Sequence, residues 1–217
     1  VKKIILLTTI LLITGTVSAQ KYFNGERADY EGYYQPKFGF IIAGNISKAS
    51  LGTDFSTRTV TGITAGVNLD LPIVYPVSLQ PGLMYAQKGY IANTAAGEFT
   101  QRSQSIDLPV LAKFHSGSVF NFYLGPQLSY LVSTTNKYSE TFATTGRENY
   151  QYTGSKFRYQ GVVGVGVDVT KHMNILARYA FDLLGTSTNG NSVLPSYRSQ
   201  AWQIGLGFSF DNNLIKL

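Results

Sequence analysis

Few groups in this chain are suited to covalent chemistry. The 217 residues include two histidines, His115 and His172, and no cysteine. Without cysteine there is no disulfide, thiolate metal site, thiol nucleophile or lipid-bearing N-terminal cysteine. A serine hydrolase needs a histidine base beside its nucleophile and an acid to orient that base. Both histidines fall in or beside predicted tight turns, at the wrong end for a lipid hydrolase of an outer leaflet. They read as polar turn residues, and two are too few for a histidine-rich metal site. GVGVDV (Gly164–Val169) has Gly-x-Gly spacing. A dinucleotide fingerprint requires strand, turn and then helix, and no helical period follows. No Asp-rich calcium loop occurs. The expectation is no enzyme and no catalytic, cofactor or metal site, with a lipid-modifying enzyme of nonstandard residues kept as the alternative.

The charges offer a different chemistry. Lys37, Lys88, Lys113, Arg158 and Arg178, with Asp70, Asp107, Asp168 and Asp182, recur in segments of strict alternation, each on the less apolar face. Buried charges persist only when paired and hydrogen-bonded. Five cations against four anions on facing walls would make a salt-bridge network inside a closed structure.

The elements that position these charges are strands. AWQIGLGFSF (Ala201–Phe210) sets Trp202, Ile204, Leu206, Phe208 and Phe210 against Gln203, Gly205, Gly207 and Ser209. Side chains on a strand alternate faces with period 2. The same pattern recurs in PKFGFIIAGNIS, TGITAGVNLDL, VSLQPGLMYAQKG, SIDLPVLAKFH, VFNFYLGPQLSYLVS, KFRYQGVVGVGVDVT and MNILARYAFDLL. Eight strands of about 9–15 residues exceed the usual globular length and suit a bilayer crossing. Links around 72–76, 115–119 and 170–174 are tight, whereas those at 48–59, 91–104, 133–156 and 186–197 are long. Short turns on one side and long loops on the other characterise bacterial outer-membrane barrels. The predicted fold is all-β: an eight-stranded antiparallel up-and-down transmembrane barrel with a polar, filled lumen. Its place would be the cell outer membrane, with both termini periplasmic.

A soluble lipocalin-like carrier of a small apolar ligand would show the same alternation with its faces inverted. Composition argues against it. Only 14% of residues are charged, against roughly 25% in soluble domains. The polar rows hold Gly, Asn, Gln and Ser rather than Lys and Glu, and glycine makes room in a narrow interior. The apolar rows carry no charge. Tyr85, Tyr130, Phe157, Tyr159, Phe181 and Trp202 collect at one predicted end, and Phe38, Phe114, Phe120, Phe208 and Phe210 at the other. Two aromatic girdles are expected at membrane interfaces. Eight strands enclose only enough room for side chains, so a wide pore is not expected.

Residues 1–19, with Lys2 and Lys3, apolar Ile4 to Ile13 and the small-residue site at Val17-Ser18-Ala19, read as a cleaved signal peptide. Residues 20–35 then form a periplasmic arm, 36–211 the barrel and 212–217 a tail. The formal charge is +6. Removing Lys2 and Lys3 leaves 16 basic against 12 acidic side chains, and their dispersal gives no nucleic-acid surface.

LQPGLMYAQKG (Leu79–Gly89), IDLPVLAKF (Ile106–Phe114), FYLGPQLSYL (Phe122–Leu131), GVGVDV and the closing GLGFSF together resemble the PorT-like small outer-membrane β-barrel family. The resemblance spans about Pro36 to Phe210. It implies an eight-stranded outer-membrane barrel, and its founding member is associated with protein secretion. DNNLIKL after Phe210 departs from the terminal aromatic strand usual in such barrels.

The loops would carry interactions. In 133–156, KYSETF and ENYQYT alternate around Thr144-Thr145-Gly146. They read either as a hairpin beyond the membrane or as a flexible polar loop, with Lys137, Tyr138, Phe142, Arg147, Tyr150 and Tyr152 as surface residues that a hairpin would offer to a partner strand. Seven basic residues in the outer links (Lys48, Arg58, Arg102, Lys137, Arg147, Lys156 and Arg198) exceed the acids there, an excess that fits either lipopolysaccharide phosphates or ordinary solvated charge. The expected partners are outer-membrane lipid, lipopolysaccharide and secretion or surface proteins, around a monomer with no cofactor.

Overall fold

The computed structural model describes residues 35–51, 56–94, 97–116, 119–138, 147–149, 156–185 and 197–211. The proposed signal peptide, most of the arm and the tail lie outside them. The strands are β1 (Lys37–Leu51), β2 (Ser56–Val74), β3 (Val77–Thr94), β4 (Gly97–Ser116), β5 (Phe120–Tyr138), β6 (Arg147–Asn149), β7 (Phe157–Asp168), β8 (Met173–Asp182) and β9 (Tyr197–Asp211). Eight are long. Each long strand pairs antiparallel with both neighbours in the ring β1-β2-β3-β4-β5-β7-β8-β9, which closes through β1 and β9. The closing register runs from Lys37↔Asp211 to Leu51↔Tyr197. The three-residue β6 adds to the end of β5.

Closure leaves no open edge among the eight long strands. It also sorts the side chains. Phe38, Phe40, Ile42 and Ile46 of β1 point outward and are exposed, whereas Ile41, Ala43, Asn45 and Ser47 point inward and are buried. The outward rows of β7 and β9 hold Val163, Val165 and Val167, and Trp202, Ile204 and Leu206. This is the arrangement of a barrel whose apolar exterior faces lipid, and it inverts the faces a lipocalin-like carrier requires. In β5 both Val132 and Ser133 face outward between buried Leu131 and Thr134, because a bulge there shifts the pairing with β4.

The aromatic residues gather at both rims of the exterior. Tyr179 lies 4.9 Å from Trp202 and Tyr130 lies 5.1 Å from Phe157 towards the long-loop end. Phe40 stacks on Phe208 at 4.8 Å near the short-turn end. Phe181 covers its cross-strand partner Gly161 so closely that a Cβ there would lie 2.7 Å from the ring.

The long links differ from expectation. Residues 48–51 and 56–59 belong to β1 and β2, and 91–94 and 97–104 belong to β3 and β4. The ladder continues past the aromatic rim instead of giving way to loops. Lys48, Arg58, Arg102, Lys137, Arg147 and Arg198 therefore stand on strands, as does Glu98.

Ile204 lies in the middle of the outward row of β9 and is 55% exposed. Ile204→Lys is expected to lower unfolding stability in lipid vesicles by about 2–4 kcal/mol if the position sits at mid-bilayer. Urea titration of the vesicle-inserted protein measures it, and unchanged stability would mean that lipid does not cover this face.

Candidate functional site

With the exterior given to lipid, the polar chemistry lies in the lumen and at the two rims. All nine predicted charges stand on inward rows. The structure gathers them into two groups instead of one network.

The first group centres on Asp107, which is 1% exposed. Its carboxylate accepts from Lys88 Nζ at 2.7 Å, Gln127 Nε2 at 3.0 Å, Ser105 Oγ at 2.8 Å and Ser129 Oγ at 2.5 Å. Lys88 Nζ and Gln127 Nε2 also donate to Gln160 Oε1, at 3.1 and 2.7 Å. Gln160 Nε2 donates to Asp182 Oδ1 at 2.6 Å, and the backbone N–H of Ser199 donates to Asp182 Oδ2 at 2.7 Å. Arg158 Nη1 stands 3.9 Å from Asp182. Register explains much of this. Asp107 lies directly opposite Ser129, Gln127 opposite Gln160, and Gln160 opposite Asp182. The group joins β3, β4, β5, β7, β8 and β9. On the remaining wall, Asn45 Nδ2 donates to Thr64 Oγ1 at 2.7 Å and to the Gln87 carbonyl at 2.9 Å, tying β1 to β2 and β3.

The second group lies nearer the short turns. Lys113 Nζ pairs with Asp70 Oδ2 at 2.7 Å. Arg178 departs from expectation, since it meets no carboxylate among the described residues. Its Nη2 donates to Gln80 Oε1 at 2.6 Å, and its guanidinium lies 4.6 Å from the centre of the Tyr123 ring, a cation–π contact. Asn174 Nδ2 donates to the Tyr123 hydroxyl at 3.2 Å. Gly164 makes this packing possible, because a Cβ there would come within 2.8 Å of Arg178 Cγ. Lys37 and Asp168 line a cavity of about 620 Å³ beside this group. Apolar side chains fill further interior space, as Ile41, Ala43, Met84 and Leu176 form one buried cluster and Leu111, Tyr123, Val162 and Ala180 another.

Sequence reasoning missed the neutral members, among them Gln127, Gln160, Ser105, Ser129, Gln80 and Tyr123. Ser105, Gln80 and Gln160 share an inward row with a charge and could have been found that way, whereas Gln127, Ser129 and Tyr123 stand on β5, whose inward row carries none. His115 Nε2 lies 3.4 Å from Ser78 Oγ, but Ser78 is wholly buried and presents no nucleophile. His172 is exposed in a turn. Among the described residues no group of three or more His, Asp or Glu could hold a metal.

At the long-loop rim, Lys137 is exposed and lies opposite Arg147 in the β5–β6 pairing. Tyr138 ends β5. Phe142, Tyr150 and Tyr152 lie outside the described residues. Lys48, Arg58, Arg102 and Arg198 are exposed beyond the apolar rows, and Arg58 pairs with Glu98.

A closed ring of eight long strands, apolar outside and polar inside, defines a membrane-spanning β-barrel. The chain belongs to the family described as outer membrane protein beta-barrel domain, whose model matches residues 19–187. The family places it in the outer membrane, and the structure carries the barrel on through β9. Neisserial surface protein A is similar in fold, with 17% identity and a TM-score of 0.53 over 80% of this chain and 97% of that one. Ail of Yersinia pestis has 12% identity and a TM-score of 0.48, covering 81% of this chain and 99% of its own. OprG of Pseudomonas aeruginosa has 11% and 0.46, covering 82% and 97%. No curated protein matches the sequence.

Removing one partner of a buried pair strands the other, at a cost of about 3–5 kcal/mol. Asp107→Ala is expected to destabilise the folded barrel by that order in urea titrations, because Lys88 and three neutral donors lose their acceptor. Replacing Lys88 and Asp107 together by Met and Leu should recover much of the loss. A single variant as stable as the parent would show that the network does not hold the barrel.

Proposed function

We propose that this outer-membrane barrel acts through its ends, in a structural or interaction role, and neither conducts solutes widely nor catalyses a reaction. The observation that carries this reading is the filling of the lumen by hydrogen-bonded polar side chains and apolar clusters. Eight strands leave little room beyond them. The exterior is committed to lipid, so recognition is left to the rims. Both described chain ends and the short turns lie at one rim, which supports a periplasmic placement of the termini. The basic residues Lys48, Arg58, Arg102 and Arg198 on the outward wall at the other rim suit the phosphates of lipopolysaccharide. The β5–β6 pairing suits an outward hairpin that meets a secretion or surface protein by strand addition. The PorT-like reading rests on the sequence runs quoted above and agrees with such a role. The closed ring of strands supports a monomer.

Two measurements test the reading. Liposomes carrying the protein should not admit small sugars, and swelling at porin-like rates would refute the filled lumen. Trypsin added to intact cells should cut near Arg147, whereas cutting only after the outer membrane is broken would place this rim in the periplasm.

A further inference from the structure

We propose that the cavity at the short-turn end binds a small polyhydroxylated oxyanion, a sugar phosphate or a sugar acid, whose anionic group faces Arg178. Arg178 is 4% exposed, and its described contacts are Gln80 and the Tyr123 ring. Its Nε has no hydrogen-bond partner. A guanidinium this deeply buried is costly without a counter-charge. Its planar fork of donors suits a carboxylate or phosphate. The cavity wall adds Lys37, Lys113 and Lys171 to Arg178, against Asp70 and Asp168. Lys113 and Asp70 neutralise one another, so the wall keeps an excess of positive charge.

A bare anion would leave part of the wall unserved. Asn68 Oδ1, Asp70 Oδ1 and Asn174 Oδ1 are buried acceptors without partners, on side chains that line the same cavity. They need donors, and hydroxyl groups supply them. The volume of about 620 Å³ far exceeds a single inorganic ion and lies within the range of small-molecule sites. One cation lacking an anion and three acceptors lacking donors thus specify a ligand that carries both kinds of group. If the short-turn end is periplasmic, the ligand arrives from that side. The binding chemistry itself does not depend on orientation.

Isothermal titration of the folded full-length chain in detergent, at low ionic strength, tests this with glucose 6-phosphate and gluconate as probes. Inorganic phosphate and glucose serve as partial probes. At least one full probe should bind, and more tightly than either partial one. Arg178→Gln should weaken it by about tenfold or more. Lys171 is exposed in the β7–β8 turn, and Lys171→Gln should weaken binding a few-fold while the urea-unfolding midpoint of the barrel is kept. Absence of binding by both full probes would overturn the proposal. So would binding unaffected by Lys171→Gln, or inorganic phosphate binding as tightly as glucose 6-phosphate.

Discussion

Every backbone N–H and C=O within a bilayer must find its partner in the protein, and the rest of this structure depends on that constraint. The chain meets it by pairing β1 with β9 and β4 with β5, so that the ladder has no beginning or end. Closure then dictates the side chains. A strand in a closed ring has one face outside and one inside, and the outer face meets hydrocarbon over the whole crossing. A single residue slipped in register would exchange the faces of an entire strand. The bulge at Val132 and Ser133 makes that exchange visible on a small scale, since it reverses the phase of β5 near the rim.

The inner face inherits a harder problem. The lumen of eight strands is too narrow to hydrate a charge freely, yet an apolar filling would leave little to distinguish the inside of the barrel from the outside. Here one carboxylate, Asp107, gathers a lysine, an amide and two hydroxyls from three strands. Neutral glutamines then carry the polarity onward to Asp182. Those bonds tie together six of the eight long strands, and a closed ring without them would hold buried unpaired charge. Arg178 is the exception, held by an amide and an aromatic face where the other buried cations have carboxylates.

Much of this was legible beforehand, for reasons that also mark where legibility stops. Period-2 alternation identified all eight long strands and the facing of rows such as Trp202 to Phe210. It said nothing about distance across the lumen. Asp182 and Arg178 sit four residues apart on β8 and suggested a shared network, whereas the structure gives Asp182 to Arg158 and sends Arg178 to Gln80. Cross-barrel partners depend on stagger and tilt, which no single strand encodes. The long links were misread for a different reason. Beyond the aromatic rim the alternation weakens, so 91–104 looks like loop composition while 91–94 and 97–104 continue the ladder.

That continuation gives the two rims different characters. Along β9 the outward row changes from Trp202 through Gln200 to Arg198, and along β1 from Ile46 to Lys48. The change from apolar to basic occurs within the sheet, so these cations stand at strand positions on the outer wall. At the opposite rim the turns are short, Phe208 and Phe210 lie beside Phe40, and the polar groups point inward around the cavity. One rim therefore offers a charged exterior edge, which suits a surface such as a headgroup layer or another strand. The other offers a concave interior, which suits a small solute. The filled middle of the barrel separates the two rims.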